Sequence, residues 1–484
     1  MNDLPLLSIT LLLPLAACLL TLLIPSGKAG LIKGVNAIAG LGTVALALVI
    51  WVGYDMGAGG YQLVEDVPWV DAFGIRYTVA VDGVGVVLVL LNAIVFFTGV
   101  LTMWALEERV KEYFAFMALL VFGVFGVFVS LDVFVFFFFY EVAVLPMYPL
   151  IAIWGSTRKE YSAMKLTLYL MVGSALLFPG LIALFVEAGA TSWNIELLRV
   201  ALSGEAHEAF QIFVFPFIYV GFGILAGMWP FHGWSPTGHV AAPTAVSMLH
   251  AGVLMKLGAF GILRIGLEVL PVGAAYWAPT FAVLATVGIV YGAFVAMRQT
   301  DFKYVIGFSS VSHMGIVLLG LNTLGVDGTS GAVFQMFAHG IMTALFFSAV
   351  GFIYDQTHDR DIRHFGGLST QVPLASGFFI VAALCGVGVP GFASFWAELL
   401  VFLEALNTYP VLGALSIIGL VFTALYALRV LGKAMFGPAN PKWDHLQDAG
   451  AWASVPRVIL IGVLVLFGFF PSLILDMIRT ATAG

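Results

Sequence analysis

Residues 230–261, PFHGWSPTGHVAAPTAVSMLHAGVLMKLGAFG, determine how the rest of the chain is interpreted. The stretch begins at Pro230, continues through a short turn rich in glycine and proline, and enters an apolar segment of roughly 24 residues, long enough to cross a membrane as a helix. The middle of that segment carries one lysine, Lys256. A lysine at the centre of a membrane helix costs about 2.5–3.5 kcal/mol, so we expect it to face protein or water and to be functional.

Composition indicates that this segment is one of many membrane spans. The 484 residues are 61% hydrophobic and only 10% charged, with a mean hydropathy of +1.05. Soluble domains carry about a quarter charged residues, so we predict an all-α polytopic protein of the lipid bilayer without a soluble catalytic domain. The formal charge of −7 is spread over many loops and forms no basic tract for nucleic acid. Cys18 and Cys385 lie far apart in apolar segments, which favours neither a disulfide nor a metal site.

Hydropathy predicts 14 spans, and the first has neither a cationic region before it nor a cleavage-site pattern after it, so it is not expected to be a removable signal. The spans are 5–25, 32–54, 84–105, 114–130, 132–153, 163–187, 212–231, 243–266, 277–297, 302–322, 330–354, 374–406, 412–436 and 455–478. Breaks are expected in the seventh span near Pro230 and in the twelfth near Pro390, because proline removes a backbone donor. Paired breaks in matching positions indicate an ion-handling site.

The spans divide into four regions. The predicted regions are 1–113, an N-terminal three-helix region; 114–267, a first five-helix repeat; 275–436, a second repeat; and 437–484, a C-terminal helix. Because each repeat has an odd number of spans, the second is inverted relative to the first, and each contains one broken helix. Strand-like alternation at 67–70 and 75–78 predicts a hairpin on the outer surface. Lysine and arginine predominate in the loops on one side, which places that side in the cytoplasm and both termini outside.

Three charged residues lie at membrane depth and are candidates for proton transfer. They are Glu141 in the fifth span, Lys256 in the eighth and Glu398 just after the break in the twelfth. Each also has a structural explanation. Glu141 is explained by a bond to a hydroxyl or carbonyl at the kink before Pro146, and Lys256 by pairing with a carboxylate. Glu398 is explained by contact with water through the broken segment. A titrating role is favoured for all three, because a charge in the membrane is expensive to keep without one.

Four further residues extend this set. His313 and His339, in the tenth and eleventh spans, can relay protons near neutral pH, although each is equally explained as a hydrogen-bonded core histidine. Lys165 lies near the cytoplasmic end of its helix, where snorkelling to the surface is the alternative to a functional role. Asp132 lies at the outer end of the fifth span, roughly 13 Å from Glu141 at 1.5 Å per residue. In chain order, acid, base, histidine, histidine and acid would suit a lateral proton relay.

Several stretches resemble the antiporter-like subunits of proton-pumping NADH:quinone oxidoreductase, bacterial complex I, and in particular the chain M branch of that family. The stretches are VPWVDAFGIRYTVAVDGVGVVLVLLN at 67–92, DVFVFFFFYEVAVLPMYPLIAIWG at 132–155, residues 230–261 quoted above, FSSVSHMGIVLLG at 308–320 and VPGFASFWAELLVF at 389–402. The resemblance implies that Glu141 begins a relay, Lys256 is its central lysine and Glu398 is its terminal group. A glutamate in the last position is typical of chain M, whereas its paralogues carry a lysine.

The resemblance also implies an activity and partners. It implies a proton-translocating subunit of an NADH:quinone oxidoreductase, with no redox centre in this chain and with FMN, iron–sulfur clusters and quinone in partner subunits. Expected partners are membrane-arm subunits similar to chains L, N, K and J, in a bacterial inner membrane or an equivalent energy-transducing membrane. Two alternatives remain: a sodium/proton antiporter subunit of the Mrp type, and a structural module that has lost pumping.

Departures from the family pattern motivate the last alternative. The seventh-span lysine that pairs with the fifth-span glutamate falls on Leu225, and the acidic residue of the W-x-P-D-x-H turn is Thr237. The nearest histidines are His232 and His250, and chain M usually carries an apolar residue at the second position. We hypothesise that His250 replaces the lost base between Glu141 and Lys256. The competing interpretation is a histidine bonded to a backbone carbonyl in a closed path.

Overall fold

The computed structural model describes residues 4–482, apart from the side chain of Glu205, and most of this part of the chain is helical. The α-helices are α1 Leu6–Leu23, α2 Ala29–Gly53, α3 Gly83–Thr102, α4 Val110–Val129, α5 Val133–Val144, α6 Met147–Trp154, α7 Lys159–Glu187, α8 Ile195–Leu202, α9 Glu208–Ala226, α10 Trp234–Ala241, α11 Thr244–Leu249, α12 Met255–Gly261, α13 Pro271–Arg298, α14 Phe302–Asn322, α15 Val326–Thr357, α16 Leu368–Gln371, α17 Pro373–Gly386, α18 Ala393–Thr408, α19 Pro410–Val430, α20 Ala451–Phe469 and α21 Ser472–Thr482. Helices dominate because backbone polar groups in lipid must be paired within their own segment.

Two strands and several short helical turns complete the described part. The strands are β1 Gln62–Val70 and β2 Ile75–Val81. Three π-helical turns follow α11, α12 and α19, at His250–Leu254, Ile262–Leu267 and Leu431–Met435. The 3₁₀ turns are Asp71–Phe73, Glu205–His207, Phe231–Gly233, Ile362–His364 and Pro441–Trp443.

The predicted all-α polytopic class is confirmed. Between residues 4 and 482, 13 helices are long and apolar enough to cross a membrane, and Pro373–Gly386 is a shorter apolar helix. Since α17 and α18 together occupy the predicted twelfth span, each of the 14 predicted segments corresponds to helical structure. The division into inverted repeats and the four regional boundaries stay predictions.

Both predicted breaks are present, at glycines in the left-handed backbone region. In the seventh span α9 ends at Ala226, followed by Gly227 with φ of +77°. In the twelfth, α17 is followed by Gly388 with φ of +75° and Gly391 with φ of +102°. Residues with a Cβ avoid these angles, so glycine permits the chain to leave the helix here.

Two details of the predicted elements are wrong. The expected turn after Pro230 is mostly the helix α10, whose Trp234 Nε1 donates to Ile224 O at 2.9 Å and holds the helix under the end of α9. The last predicted span, 455–478, ends at Phe469, and Ser472–Thr482 forms the separate helix α21. Pro471 lies between the two helices and cannot donate a helical hydrogen bond.

The predicted hairpin is confirmed and covers one face of the bundle, called the hairpin face below. Strands β1 and β2 pair in antiparallel fashion, and Arg76 donates to Asp66 with nitrogen–oxygen distances between 2.6 and 3.1 Å. Glu65 accepts from Leu7 N at 2.9 Å, which fastens the first turn of α1 to the hairpin. The opposite face of the bundle carries most of the lysine and arginine loops.

The core lies around the eighth span. Residues 244–266, which comprise α11, α12 and nearly all of their π turns, are buried, and Leu267 at the end is partly exposed. Most of α3, α14 and α15 is also buried, whereas α2, α7, α19 and α20 lie at the periphery. Polar side chains of the eighth span must therefore find their partners inside the protein.

Candidate functional site

Lys256 is fully buried at the centre of the bundle. Its Nζ donates to Ala251 O, a carbonyl of the preceding π turn, and lies 2.7 Å from His339 Nδ1 on α15. No salt bridge joins Lys256 to a carboxylate within residues 4–482, so the structure does not show the pairing required by the structural explanation. The base is held by a carbonyl and an imidazole.

His339 leads to His313 on α14. The two rings are nearly parallel, at an angle of 25°, and their centroids are 5.2 Å apart. His313 Nδ1 lies 2.8 Å from Ser309 O, and its Nε2 lies 3.1 Å from Gly386 O at the end of α17. These carbonyls fix the orientation of the His313 ring, and both nitrogens face acceptors.

Glu398 follows His313 at the break of the twelfth span. His313 Nε2 lies 3.6 Å from Glu398 Oε1, and Gln335 Nε2 donates to the same oxygen at 3.2 Å. The other oxygen, Oε2, lies against Gly388, where an added Cβ would be 2.5 Å away. The broken segment therefore makes room for a carboxylate that is 2% exposed.

These four residues form a continuous polar line through an otherwise apolar core, called the central relay below. Lys256, His339, His313 and Glu398 come from four different spans, and each residue is at most 2% exposed. Each can hold or release a proton, and imidazoles do so near neutral pH. The arrangement can move a proton sideways from the eighth span to the twelfth.

A second pair of histidines lies on the opposite side of Lys256 from the hairpin face. The ring centroids of His239 and His250 are 4.0 Å apart, and His250 also stacks on Trp234 at 5.1 Å. Both imidazoles are fully buried, and none of their nitrogens has a hydrogen-bond partner in the described part of the chain. His239 was missed in the sequence, although its position in the tryptophan–proline–histidine turn is the signal that points to it.

His250 lies on the eighth span, with its ring beside α7. His250 precedes Lys256 by six residues, or about 9 Å along the helix. A Cβ at Gly238 would lie 3.1 Å from His250 Cε1 and 3.2 Å from Leu166 Cδ1, so the ring lies beside α7. Within residues 4–482 no hydrogen bond links it to a backbone carbonyl. Its replacement of the lost base stays a hypothesis.

Glu141 is only half-buried on α5. It accepts from Ser174 Oγ on α7, which is the hydroxyl contact expected from the structural explanation. Its outward neighbours Phe138 and Leu145 are 41% and 66% exposed. Leu225 is fully buried on α9, a helix without any basic residue in its described length, so the seventh span offers no charge to Glu141.

The remaining predicted residues have different surroundings. Asp132 caps α5 by accepting from Phe134 N at 2.9 Å and Val135 N at 3.0 Å, and burial raises the pKa of its carboxyl to about 6 although these amides favour the anion. Lys165 lies on α7 beside the break of the seventh span. A Cβ at Gly233 would lie 3.6 Å from its Nζ, so this lysine points at the break of the seventh span.

Four more polar residues lie in the site region. Gln335, described above, and Lys303 were missed in the sequence; Lys303 is buried at the start of α14 and donates to Ala242 O at 2.8 Å. Thr237 donates to Trp234 O at 3.0 Å within its own helix, so it supplies no acid. His232 is buried against Tyr291, with ring centroids 5.1 Å apart.

Known proteins are similar to this chain in sequence and in fold. The family model described as NADH:quinone oxidoreductase/Mrp antiporter, TM, matches residues 130–425. Over 99% of its length the chain is 34% identical to NADH-quinone oxidoreductase subunit M of Rhodobacter capsulatus, of which 96% is covered. Its fold matches a chain of respiratory complex I from Thermus thermophilus with a TM-score of 0.90, 24% identity and 99% of each chain covered. A chain of the Mrp complex from Dietzia sp. matches with a TM-score of 0.86, 21% identity and coverage of 99% and 97%.

Proposed function

The chain belongs to the NADH:quinone oxidoreductase/Mrp antiporter membrane family, and from this membership we propose that it is a proton-translocating membrane-arm subunit of a complex I-type oxidoreductase. The observation that carries the proposal is the central relay, in which Lys256 Nζ lies 2.7 Å from His339 Nδ1 and His313 Nε2 lies 3.6 Å from Glu398 Oε1. Groups spaced in this way within an apolar core can pass a proton between helices.

Within this proposal each relay residue has a defined role. Lys256 holds the proton and gives it to His339, whose Nδ1 faces the ammonium. His339 passes it through the neighbouring His313 ring to Glu398, the terminal acid. Gln335 positions the Glu398 carboxylate by donating to one of its oxygens. Asp132, Glu141, Lys165 and His250 belong to the paths that load Lys256.

The electron-transfer chemistry belongs to partner subunits in this proposal. FMN, iron–sulfur clusters and quinone would be bound there, and this chain would couple their reaction to proton movement. The hairpin face and both termini would be on the periplasmic side of a bacterial inner membrane, because the lysine and arginine loops of the opposite face favour the cytoplasm. Neighbouring subunits similar to chains L, N, K and J would pack against its peripheral helices.

The test is Glu398→Gln in the assembled complex. An amide cannot take up the relayed proton, so NADH-driven proton pumping in proteoliposomes is expected to fall by about 100-fold or more, the range for removing a positioned proton-transfer group. Lys442→Ala, which removes an exposed lysine paired with Asp359 at 3.6 Å, serves as the control and should pump normally. Normal pumping by Glu398→Gln would remove this residue from the path.

A second candidate is a subunit of an Mrp-type sodium/proton antiporter, favoured by the fold match to the Dietzia complex over 99% of the chain. The two candidates differ in their partners. Flavin- and iron–sulfur-containing subunits that purify with the chain support the oxidoreductase, whereas small membrane subunits alone support the antiporter.

A further inference from the structure

We propose that Lys165, Tyr169 and His232 bind the phosphate headgroup of an anionic phospholipid beside the break of the seventh span. These residues surround Gly233, which is partly exposed in a recess between α7 and α13. The recess is called the lipid notch below. This inference goes beyond the proposed function and does not depend on the central relay, because it concerns the surface of the bundle.

The lipid notch opens where the seventh span breaks. Between the hairpin face and the break, α7 and α9 pack so tightly that a Cβ at Gly173 would lie 2.9 Å from Gly221 O. Past the break α10 lies deeper, and its first three residues, 234–236, are buried. Outside the adjoining residues, the nearest atoms to a Cβ at Gly233 would be 3.6 Å away. The deeper position of α10 therefore leaves room at the outer surface.

Two polar groups converge on this room. The Lys165 Nζ and the Tyr169 hydroxyl oxygen each lie 3.6 Å from the position of a Cβ at Gly233. Both residues are partly exposed, and Lys165 forms no salt bridge within residues 4–482. The oxygens of one phosphate group can accept from both at once. Hydrogen bonds between an ammonium and an anion are among the strong ones in proteins.

A third polar group lies beside the same room. His232 directly precedes Gly233, is 7% exposed, and has no hydrogen-bond partner for its Nδ1 in the described part of the chain. Its ring packs edge to face against Tyr291 on α13, with centroids 5.1 Å apart. A buried polar atom without a partner is unfavourable, and an anion in the lipid notch supplies an acceptor.

The depth of the lipid notch matches the level of lipid headgroups. Helix α7 has 29 residues, or about 43 Å at 1.5 Å per residue, so roughly 6 Å extends beyond each edge of a hydrocarbon core of about 30 Å. Lys165 lies about 9 Å from the first residue of α7, at the end away from the hairpin face. Helical side chains lean toward the N-terminus, which is this end. The ammonium therefore reaches the boundary between headgroups and acyl chains.

The surface next to the lipid notch suits acyl chains. Leu168 and Val172 lie on the same face of α7 as Lys165 and are 54% and 56% exposed. No charged residue lies between Lys165 and Glu187 in the sequence of α7. A ligand with one anionic group and long apolar chains fits both the lysine and this surface, whereas free phosphate fits the lysine alone.

The residues that flank the lipid notch favour lipid over a neighbouring protein chain. Tyr161 and Tyr291 are 59% and 39% exposed on its two sides. Exposed tyrosines at the edge of the hydrocarbon core are typical of a lipid–water interface. Basic pockets between spans on the cytoplasmic side bind anionic headgroups, and the proposed orientation places this end of α7 on that side.

The experiment places the assembled complex in phosphatidylcholine nanodiscs that contain phosphatidylglycerol with a photoactivatable headgroup. After illumination, mass spectrometry should locate crosslinks near the start of α7 and at the break of the seventh span. Lys165→Gln should lower their yield about five-fold or more, the factor for one lysine at an anionic membrane surface. Lys165→Arg keeps the charge and should retain most of the yield. An unchanged yield in Lys165→Gln would overturn the proposal.

Gly233→Leu tests the lipid notch without changing any charge. The backbone of Gly233 is helical, with φ of −60°, so leucine is compatible with it, and its side chain would fill the space between Lys165 and Tyr169. The yield should fall about as far as in Lys165→Gln. Lys159→Gln is the matched control on the same helix and should crosslink normally, because Lys159 Nζ already donates to Ile153 O at 2.6 Å. If Gly233→Leu fails to assemble, an equal yield in Lys165→Gln and Lys159→Gln overturns the proposal.

Competitors identify the source of the phosphate. Unlabelled phosphatidylglycerol should abolish the crosslinks, whereas inorganic phosphate should leave them in place because it lacks acyl chains. Equal competition by inorganic phosphate would overturn the assignment to lipid. Absence of the crosslinks in the wild type would also overturn it and would assign the lipid notch to a carboxylate of a neighbouring subunit.

Lipid binding and proton pumping are separate measurements. Lys165 lies on a loading path in the proposed function, so the crosslink yield, and not pumping, tests the lipid notch. Glu398→Gln should crosslink like the wild type. Lost crosslinks with an intact relay would reject the lipid notch alone, and normal crosslinks with normal pumping by Glu398→Gln would reject the relay alone.

Discussion

Replacing His313 by leucine is the most direct perturbation of the central relay. The imidazole is the bridge between the His339 ring, at a centroid distance of 5.2 Å, and Glu398 Oε1, at 3.6 Å from Nε2. Leucine fills a similar volume but carries no proton. The remaining gap from His339 to Glu398 is then far longer than the roughly 2.6–3.2 Å over which a side chain passes a proton.

The expected size of the rate loss distinguishes a defect in proton transfer from a defect in folding. Losing a positioned proton-transfer group lowers a rate by about 10²–10⁴-fold, and 100-fold corresponds to about 2.7 kcal/mol in the barrier. The main structural loss is the partner of Gly386 O, 3.1 Å from His313 Nε2. A buried carbonyl left without a partner costs about 1–3 kcal/mol, which a large membrane assembly should tolerate. The variant should therefore assemble and fail to pump.

The assay compares NADH oxidation with fluorescent-dye acidification in proteoliposomes containing equal amounts of complex. Ser310→Ala is the matched control, because Ser310 is buried on the same helix and its hydroxyl has no partner in the described chain. The control should match the wild type, and His313→Leu should pump at 1% of it or less. Fully coupled turnover by His313→Leu would refute a relay through this ring.

Two other predictions concern the first acid and the packing of the last helix. Leu225→Lys should raise the number of protons pumped per NADH, because it returns a base to the seventh span. His250→Leu should lower that number if His250 stands in for the base. An increase in Leu225→Lys together with no change in His250→Leu would exclude His250 as the substitute. Gly83→Ala should prevent assembly on a native gel, since its Cβ would lie 1.8 Å from Met477 O, whereas Gly462→Ala, with no atom within 4 Å, should assemble normally.

Much of the fold could be predicted because lipid restricts what a chain can form. An apolar segment of about 20 residues in a bilayer has few alternatives to a helix, and the glycines at 227, 388 and 391 mark where the helix ends. The helix α10 was missed because its sequence contains proline, glycine, serine and threonine, all typical of turns. Its stability depends partly on the Trp234 contact with Ile224 O, which local sequence does not reveal.

The candidate site was predictable only in part, for a similar reason. Membrane depth identifies Lys256 and Glu398, because a charge there is rare and expensive. Depth does not identify partners: Lys256 meets a histidine 83 residues away, and Gln335 is an uncharged amide with no distinctive pattern. Nor does depth show which way a side chain faces, and Glu141 proves to be half-exposed.

The π turn before Lys256 has a consequence for how this lysine works. The carbonyl of Ala251, to which Nζ donates, lies five residues earlier and cannot change its charge. A carbonyl oxygen accepts from an ammonium and from a neutral amine alike, since both have N–H groups. The side chain is therefore tethered in either state. Under the proposed relay, a proton would therefore cross this point while the lysine stays still, and a turnover would require no large movement of its side chain.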